Sequence, residues 1–124
     1  MSKIVIYSYS KCSTCQKALR FLEKHDIADR FTIKEIKENP PPVKELERML
    51  SFQHGNLKKL FNTSGKLYRE MHLTEKLKSM PVKEALMLLS KNGMLVKRPF
   101  LIADDFGTTG FNEAKWEELL ATKV

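Results

Sequence analysis

The stretch from Lys3 to Leu22, KIVIYSYSKCSTCQKALRFL, constrains the fold more than any other part of the chain. Ile4, Val5, Ile6 and Tyr7 make a β-branched and aromatic run of strand length, whereas Cys15, Ala18, Leu19 and Leu22 recur at helical spacing. Cys12 and Cys15 therefore stand where a buried strand passes through a short polar turn into an amphipathic helix. A thiol reacts as its thiolate, and the free amides and positive dipole end of a helix N-terminus stabilise an anion. Lys11 and Lys17 add positive charge nearby, and Ser13 and Thr14 offer hydroxyls. Cys12 is the expected nucleophile. Cys15, three residues on and inside the first turn, faces the same side and is close enough to form a disulfide with it.

A C-x-x-C pair is also half of a zinc site. This chain has two cysteines only, and His25, His54 and His72 show no paired ligand spacing, so no metal site is expected. Inert core burial is the other alternative, stronger for Cys15 on the apolar helix face than for Cys12 among polar neighbours.

With 124 residues, 42% of them hydrophobic, the chain is long enough for one domain with its own core, expected to span 1–124. No apolar run reaches membrane-spanning length, and MSKIVIYSYS lacks the apolar core of a signal peptide, so a cytoplasmic protein with no membrane partner is expected. In that compartment a C-x-x-C beside a strand and helix points to redox chemistry. The net charge of +7 favours an anionic partner. Glutamates are interleaved among the cations and no basic run stands out, which argues against direct nucleic-acid binding.

Beyond the first helix, FTIKEI (31–36) alternates as a half-buried strand should, and Asn39-Pro40-Pro41-Pro42 stops it. A helical block over about 43–92 follows. Val43, Leu46, Met49 and Leu50 share one face, and His54-Gly55 breaks the pattern. Leu57, Leu60 and Phe61 begin a short helix, and Asn62-Thr63-Ser64-Gly65 reads as a turn. Short helical pieces around Leu67–Leu77 lead to a helix carrying Val82, Ala85, Leu86 and Leu89, with Pro81 in its first turn and Asn92-Gly93 as a left-handed cap. Strands are expected at 94–96, 100–102 and 108–111. Asn112 is expected to cap a last helix, with Phe111 and Trp116 at hydrophobic-staple spacing. The order β-α-β, helical insertion, β-β-α is that of a thioredoxin-like (glutaredoxin-like) α/β fold with a mixed sheet.

With KCSTCQKA after the first strand, NPPPVKEL after the second, LKKLFNTSGKLYRE in the middle and LVKRPFLI before the hairpin, nearly the whole chain resembles the ArsC/Spx family. That family contains glutaredoxin-linked arsenate reductases and Spx-type regulators that bind bacterial RNA polymerase. The resemblance implies a nucleophile at Cys12, a cis peptide before Pro99, and Arg98 as an arginine that holds an oxyanion or a thiolate. A surface ion pair is the alternative use of Arg98. Glutathione with glutaredoxin, or thioredoxin, is the implied electron donor, with no bound cofactor, and the substrate is a small oxyanion or a thiol.

Departures from the reductase pattern refine this expectation. The middle arginine of the reductases falls at Asn62 and the arginine after the hairpin at Gly110 or Phe111. One arginine in place of three predicts inefficient arsenate reduction, because stabilising developing charge is usually a large catalytic term. Cys15 stands where the glutaredoxin-linked reductases tend to carry serine and where the Spx branch has its second cysteine. As a resolving thiol it would make oxidation at Cys12 reversible. Gly55 could match the glycine through which Spx contacts polymerase, or simply serve a helix break. Tyr7 and Tyr9 are either packing residues or walls of a substrate cleft, and Asn62, Thr63 and Ser64 are either turn residues or hydrogen-bond donors to a ligand.

Overall fold

The computed structural model describes residues 4–123; Lys3, the first residue of the opening stretch, lies outside them. Strand β1 (Ile4–Ser8) leads through a turn into helix α1 (Ser13–Lys24), and a short 3-10 turn at Ala28–Arg30 leads into β2 (Phe31–Glu35). The helical block holds α2 (Val43–Phe52), a 3-10 turn at Leu57–Leu60, α3 (Lys66–Glu70), α4 (Leu73–Lys76) and α5 (Val82–Lys91). A 3-10 turn at Gly93–Leu95, β3 (Phe100–Ile102), β4 (Gly107–Thr109) and α6 (Glu113–Lys123) complete the chain. The sheet order is β2-β1-β3-β4; β1 and β2 are parallel, and the other two pairings are antiparallel. This is the mixed sheet of a thioredoxin-like fold.

Strand alternation divides the core between the two faces of the sheet. Ile4, Ile6 and Leu101 point to a layer made by Ala18, Phe21 and Leu22 of α1 with Trp116 and Leu120 of α6. Tyr7, Phe100 and Ile102 point the other way, into the helical block, where Leu46, Met49, Leu86 and Leu89 meet them. The block is thus a second layer on the sheet, built from the residues between β2 and β3.

Three local readings of the sequence are corrected. Ile33, expected inside by alternation, is 50% exposed because it pairs only with Ile6 on one side and lies on the edge strand β2. Asn92-Gly93 is not a left-handed cap: Asn92 has φ −139°, and Gly93 opens the following 3-10 turn. The glycine serves close approach, since a Cβ there would lie 1.9 Å from the carbonyl oxygen of Ile36. Residues 94–96 form no ladder strand; within them Val96 makes a lone antiparallel bridge with Phe61. Pro81 takes the capping position one residue before α5 rather than its first turn. The last strand is shorter and earlier than 108–111.

Other readings of the sequence appear as read. Asn112 Oδ1 accepts the Lys115 amide at 3.0 Å, and the Phe111 and Trp116 rings meet edge to face at 5.0 Å between centroids. The His54-Gly55 break takes left-handed backbone at both residues. The Arg98–Pro99 peptide is cis. Among the described residues no helix is long and apolar enough to cross a membrane.

Candidate active site

Cys12 is the N-cap of α1, with extended backbone, and its sulfur accepts the Cys15 amide at 3.4 Å. The strand-to-helix turn is tied by the Cys12 amide to the Tyr9 carbonyl at 3.0 Å and by the Gln16 side chain to the Ser10 carbonyl at 2.8 Å. Both cysteines are free thiols. Partial burial pushes the Cys12 thiol up, but hydrogen bonds from the Cys15 amide, the Cys15 thiol and the Thr14 amide, together with the Arg98 charge, outweigh it and bring the pKa below the ordinary value.

Cys15 is 1% exposed on the core side of α1, and its sulfur accepts the Tyr9 amide at 3.4 Å. Burial, with the neighbouring Cys12 sulfur, pushes its thiol up to about 11. Ser8 Oγ is buried without a hydrogen bond of ordinary geometry, yet lies near enough to Cys15 to favour its thiolate modestly. The two thiols are thus separated in character. Cys12 is the more acidic and partly accessible, and Cys15 keeps its proton and donates it to the Cys12 sulfur.

The positive charge acting on Cys12 comes from Arg98, while Lys11 and Lys17 stand exposed. Arg98 joins neither ion pair found among the described residues. Its Nη1 donates to the Met94 carbonyl at 3.1 Å, its guanidinium lies 5.2 Å from the Tyr9 ring centroid, and its buried Nε has no partner. Tyr9 therefore holds the arginine. Tyr7 is a core residue: its ring packs on Phe100, and its hydroxyl donates to Glu45 at 2.7 Å.

The segment before β3 is held against the helical block in antiparallel fashion. The Asn62 amide donates to the Leu95 carbonyl at 2.7 Å and the Lys97 amide to the Leu60 carbonyl at 2.9 Å. This pairing brings Asn62 beside Lys97 and Arg98. With Thr14, Ser64, the β4 end and the start of α6, they line a polar cavity of about 500 Å³. Of the residues singled out in the sequence, Thr14, Asn62 and Arg98 line this cavity. Lys11, Ser13 and Pro99 do not; Lys11 and Ser13 are exposed and Pro99 is buried.

Sequence reading missed Lys97 and Lys115 as cavity residues. Lys97 had a signal, its place next to Arg98. Lys115 had only its position one turn into a capped helix. Among the described residues, no group of three or more histidine, cysteine or acidic side chains could hold a metal ion.

An ArsC family model matches residues 7–119. The chain is 43% identical over 115 residues to the uncharacterized protein YusI of Bacillus subtilis, covering 93% of this chain and 96% of that one. It is 25% identical to the global transcriptional regulator Spx of the same organism, over 98% of this chain and 89% of the other. The crystal structure of an ArsC family related protein from Bacteroides fragilis superposes with a TM-score of 0.86 at 39% identity, covering 94% of this chain and 97% of that chain.

Proposed function

The chain belongs to the ArsC family, and on that premise we propose that it is a thiol-disulfide oxidoreductase with Cys12 as nucleophile and Cys15 as resolving thiol. The observation that carries this reading is the opposed character of the two sulfurs on one helical turn: an activated Cys12 at the helix cap and a buried, protonated Cys15 bonded to it.

The chemistry follows from that arrangement. The Cys12 thiolate attacks one sulfur of a disulfide substrate; the substrate S–S bond breaks, a mixed disulfide forms on Cys12, and the other half leaves as a thiolate. Cys15 then gives up its proton to the departing thiolate or to water and attacks Cys12 Sγ. This releases the second half as a thiolate and leaves the Cys12–Cys15 disulfide. Two electrons pass from the cysteine pair to the substrate, and an external thiol such as glutathione, glutaredoxin or thioredoxin restores the pair. Arg98 supports the anionic sulfur at each stage.

Arsenate is a poor substrate in this reading, since one guanidinium stands where the reductases have three. The test is disulfide turnover with the cysteine variants. Cys12→Ser is expected to abolish it and Cys15→Ser to accumulate a mixed disulfide on Cys12, visible as a mass increase. Undiminished turnover by Cys12→Ser would overturn the reading.

A second reading, a redox-responsive regulator that binds RNA polymerase, is favoured by the C-x-x-C pair and the 25% identity to Spx. Gly55, exposed at a helix break beside the α2–α5 groove, is its candidate contact. Absence of polymerase from pull-downs with both the reduced and the oxidised protein would dismiss it.

A further inference from the structure

The cavity beside Cys12 has a charge pattern of its own. Lys97, Arg98 and Lys115 line it, and no carboxylate does. The cations come from two elements, the segment before β3 and helix α6. At about 500 Å³ the cavity lies within the roughly 300–1,000 Å³ of pockets that enclose small organic ligands. Charges arriving from two walls suit a molecule whose anionic groups are set apart.

Gly110 shows how one of these cations reaches the cavity. Its backbone has φ +77°, its amide donates to the Pro99 carbonyl at 2.8 Å, and its carbonyl accepts the Trp116 indole N–H at 3.2 Å. A Cβ at this position would lie 3.1 Å from Lys97 Cε and 3.8 Å from Lys97 Nζ. The space that a side chain at 110 would fill is therefore shared with the Lys97 ammonium. A cation is delivered to the hairpin end of the cavity from position 97 rather than from the hairpin.

We propose that this cavity binds the carboxylates of a low-molecular-weight peptidic disulfide, with Lys97 and Lys115 as its anchoring cations and its sulfur presented to Cys12. The proposal rests on the oxidoreductase reading and names the substrate class for it. Thr14 and Arg98 carry the link, because each lines the cavity and each acts on the Cys12 sulfur. Asn62 and the hydroxyls of Ser64, Thr108 and Thr109 supply neutral hydrogen-bonding groups between the cations.

Two measurements test it. In the first, reduced protein is oxidised in a single turnover by glutathione disulfide, which carries carboxylates, and by bis(2-hydroxyethyl) disulfide, which carries none. The wild type is expected to favour the charged disulfide at low salt. The ratio of the two rates should fall roughly two- to fivefold in Lys97→Met, by a similar factor in Lys115→Met, and further in the double variant. Turnover of the uncharged disulfide without any preference for the charged one would leave the Cys12 chemistry standing and overturn the cavity proposal.

The second measurement needs no chemistry. Trp116, the sole tryptophan, lines the cavity, so its fluorescence reports occupancy. Titration with S-methylglutathione is expected to saturate in the wild type and to weaken in the double lysine variant and with added salt. A titration that fails to saturate, or one indifferent to both lysines, would overturn the proposal even if neither disulfide reacts.

Discussion

The guanidinium of Arg98 stands over the ring of Tyr9, 5.2 Å from its centroid, while its Nη1 is held by the Met94 carbonyl at 3.1 Å. Stacking and hydrogen bonding from two directions fix a side chain that would otherwise sample many rotamers, and its charge is thereby kept on Cys12. A cation favours the thiolate, so removing it raises the thiol pKa and lowers the thiolate fraction near neutral pH. Arg98→Met is expected to slow alkylation of Cys12 at pH 7 by roughly three- to tenfold, with the alkylation midpoint moved to higher pH. Arg98→Lys should recover part of the loss, since an ammonium keeps the charge but not the planar fork. An unchanged midpoint in Arg98→Met would show that the helix cap alone activates the sulfur.

The two cysteines should separate cleanly in a pH titration. Cys12 reacts as its lowered pKa is crossed, whereas Cys15 stays protonated until about pH 11 and is shielded by the core. Timed alkylation followed by peptide mass analysis is expected to label Cys12 alone throughout the neutral range. Equal labelling of both at pH 7 would contradict the division of roles between them.

Gly93 should be among the least tolerant positions of the fold. A methyl group there would stand 1.9 Å from the Ile36 carbonyl oxygen and 2.8 Å from its carbon, and backbone cannot swing aside as a flexible side chain can. Gly93→Ala is expected to cost about 3 kcal/mol, at the upper end of overpacking penalties. Urea denaturation measures it, and a cost below about 1 kcal/mol would mean that the turn relocates freely.

These residues also show what a sequence carries and what it does not. The cap at Cys12, the cap at Asn112 and the Phe111–Trp116 staple are local: each depends on residues within a few positions, so their pattern is visible along the chain. The layer arrangement followed from element order because strand alternation and short connections leave few topologies. Gly93 was misread because its reason lies in Ile36, far away in sequence. Residues 94–96 were misread because one bridge to Phe61 gives strand-like composition no ladder to join. Ile33 was expected inside because alternation does not reveal which strand ends at the sheet edge. Lys97 and Lys115 escaped notice because a lysine's destination depends on neighbours such as Gly110 that a linear pattern does not locate.

Asn62 offers the most direct test of why the cavity differs from an arsenate site. Its backbone is held independently of its side chain, by its amide to Leu95 and by the Gly65 amide to its own carbonyl at 3.0 Å. The side chain itself meets only Ser64, at 3.4 Å, and lies partly exposed on the cavity wall. Asn62→Arg can therefore add a guanidinium to the cavity without removing a bond on which the fold depends. A planar fork binds tetrahedral oxyanions through paired charge-assisted hydrogen bonds that an amide cannot make. Inorganic phosphate, a non-reacting stand-in for arsenate, is expected to protect Cys12 from alkylation at concentrations roughly three- to tenfold lower in the variant than in the wild type. Unchanged protection in a variant of unchanged stability would show that the shortage of arginine is not what limits oxyanion binding, and that cavity shape is.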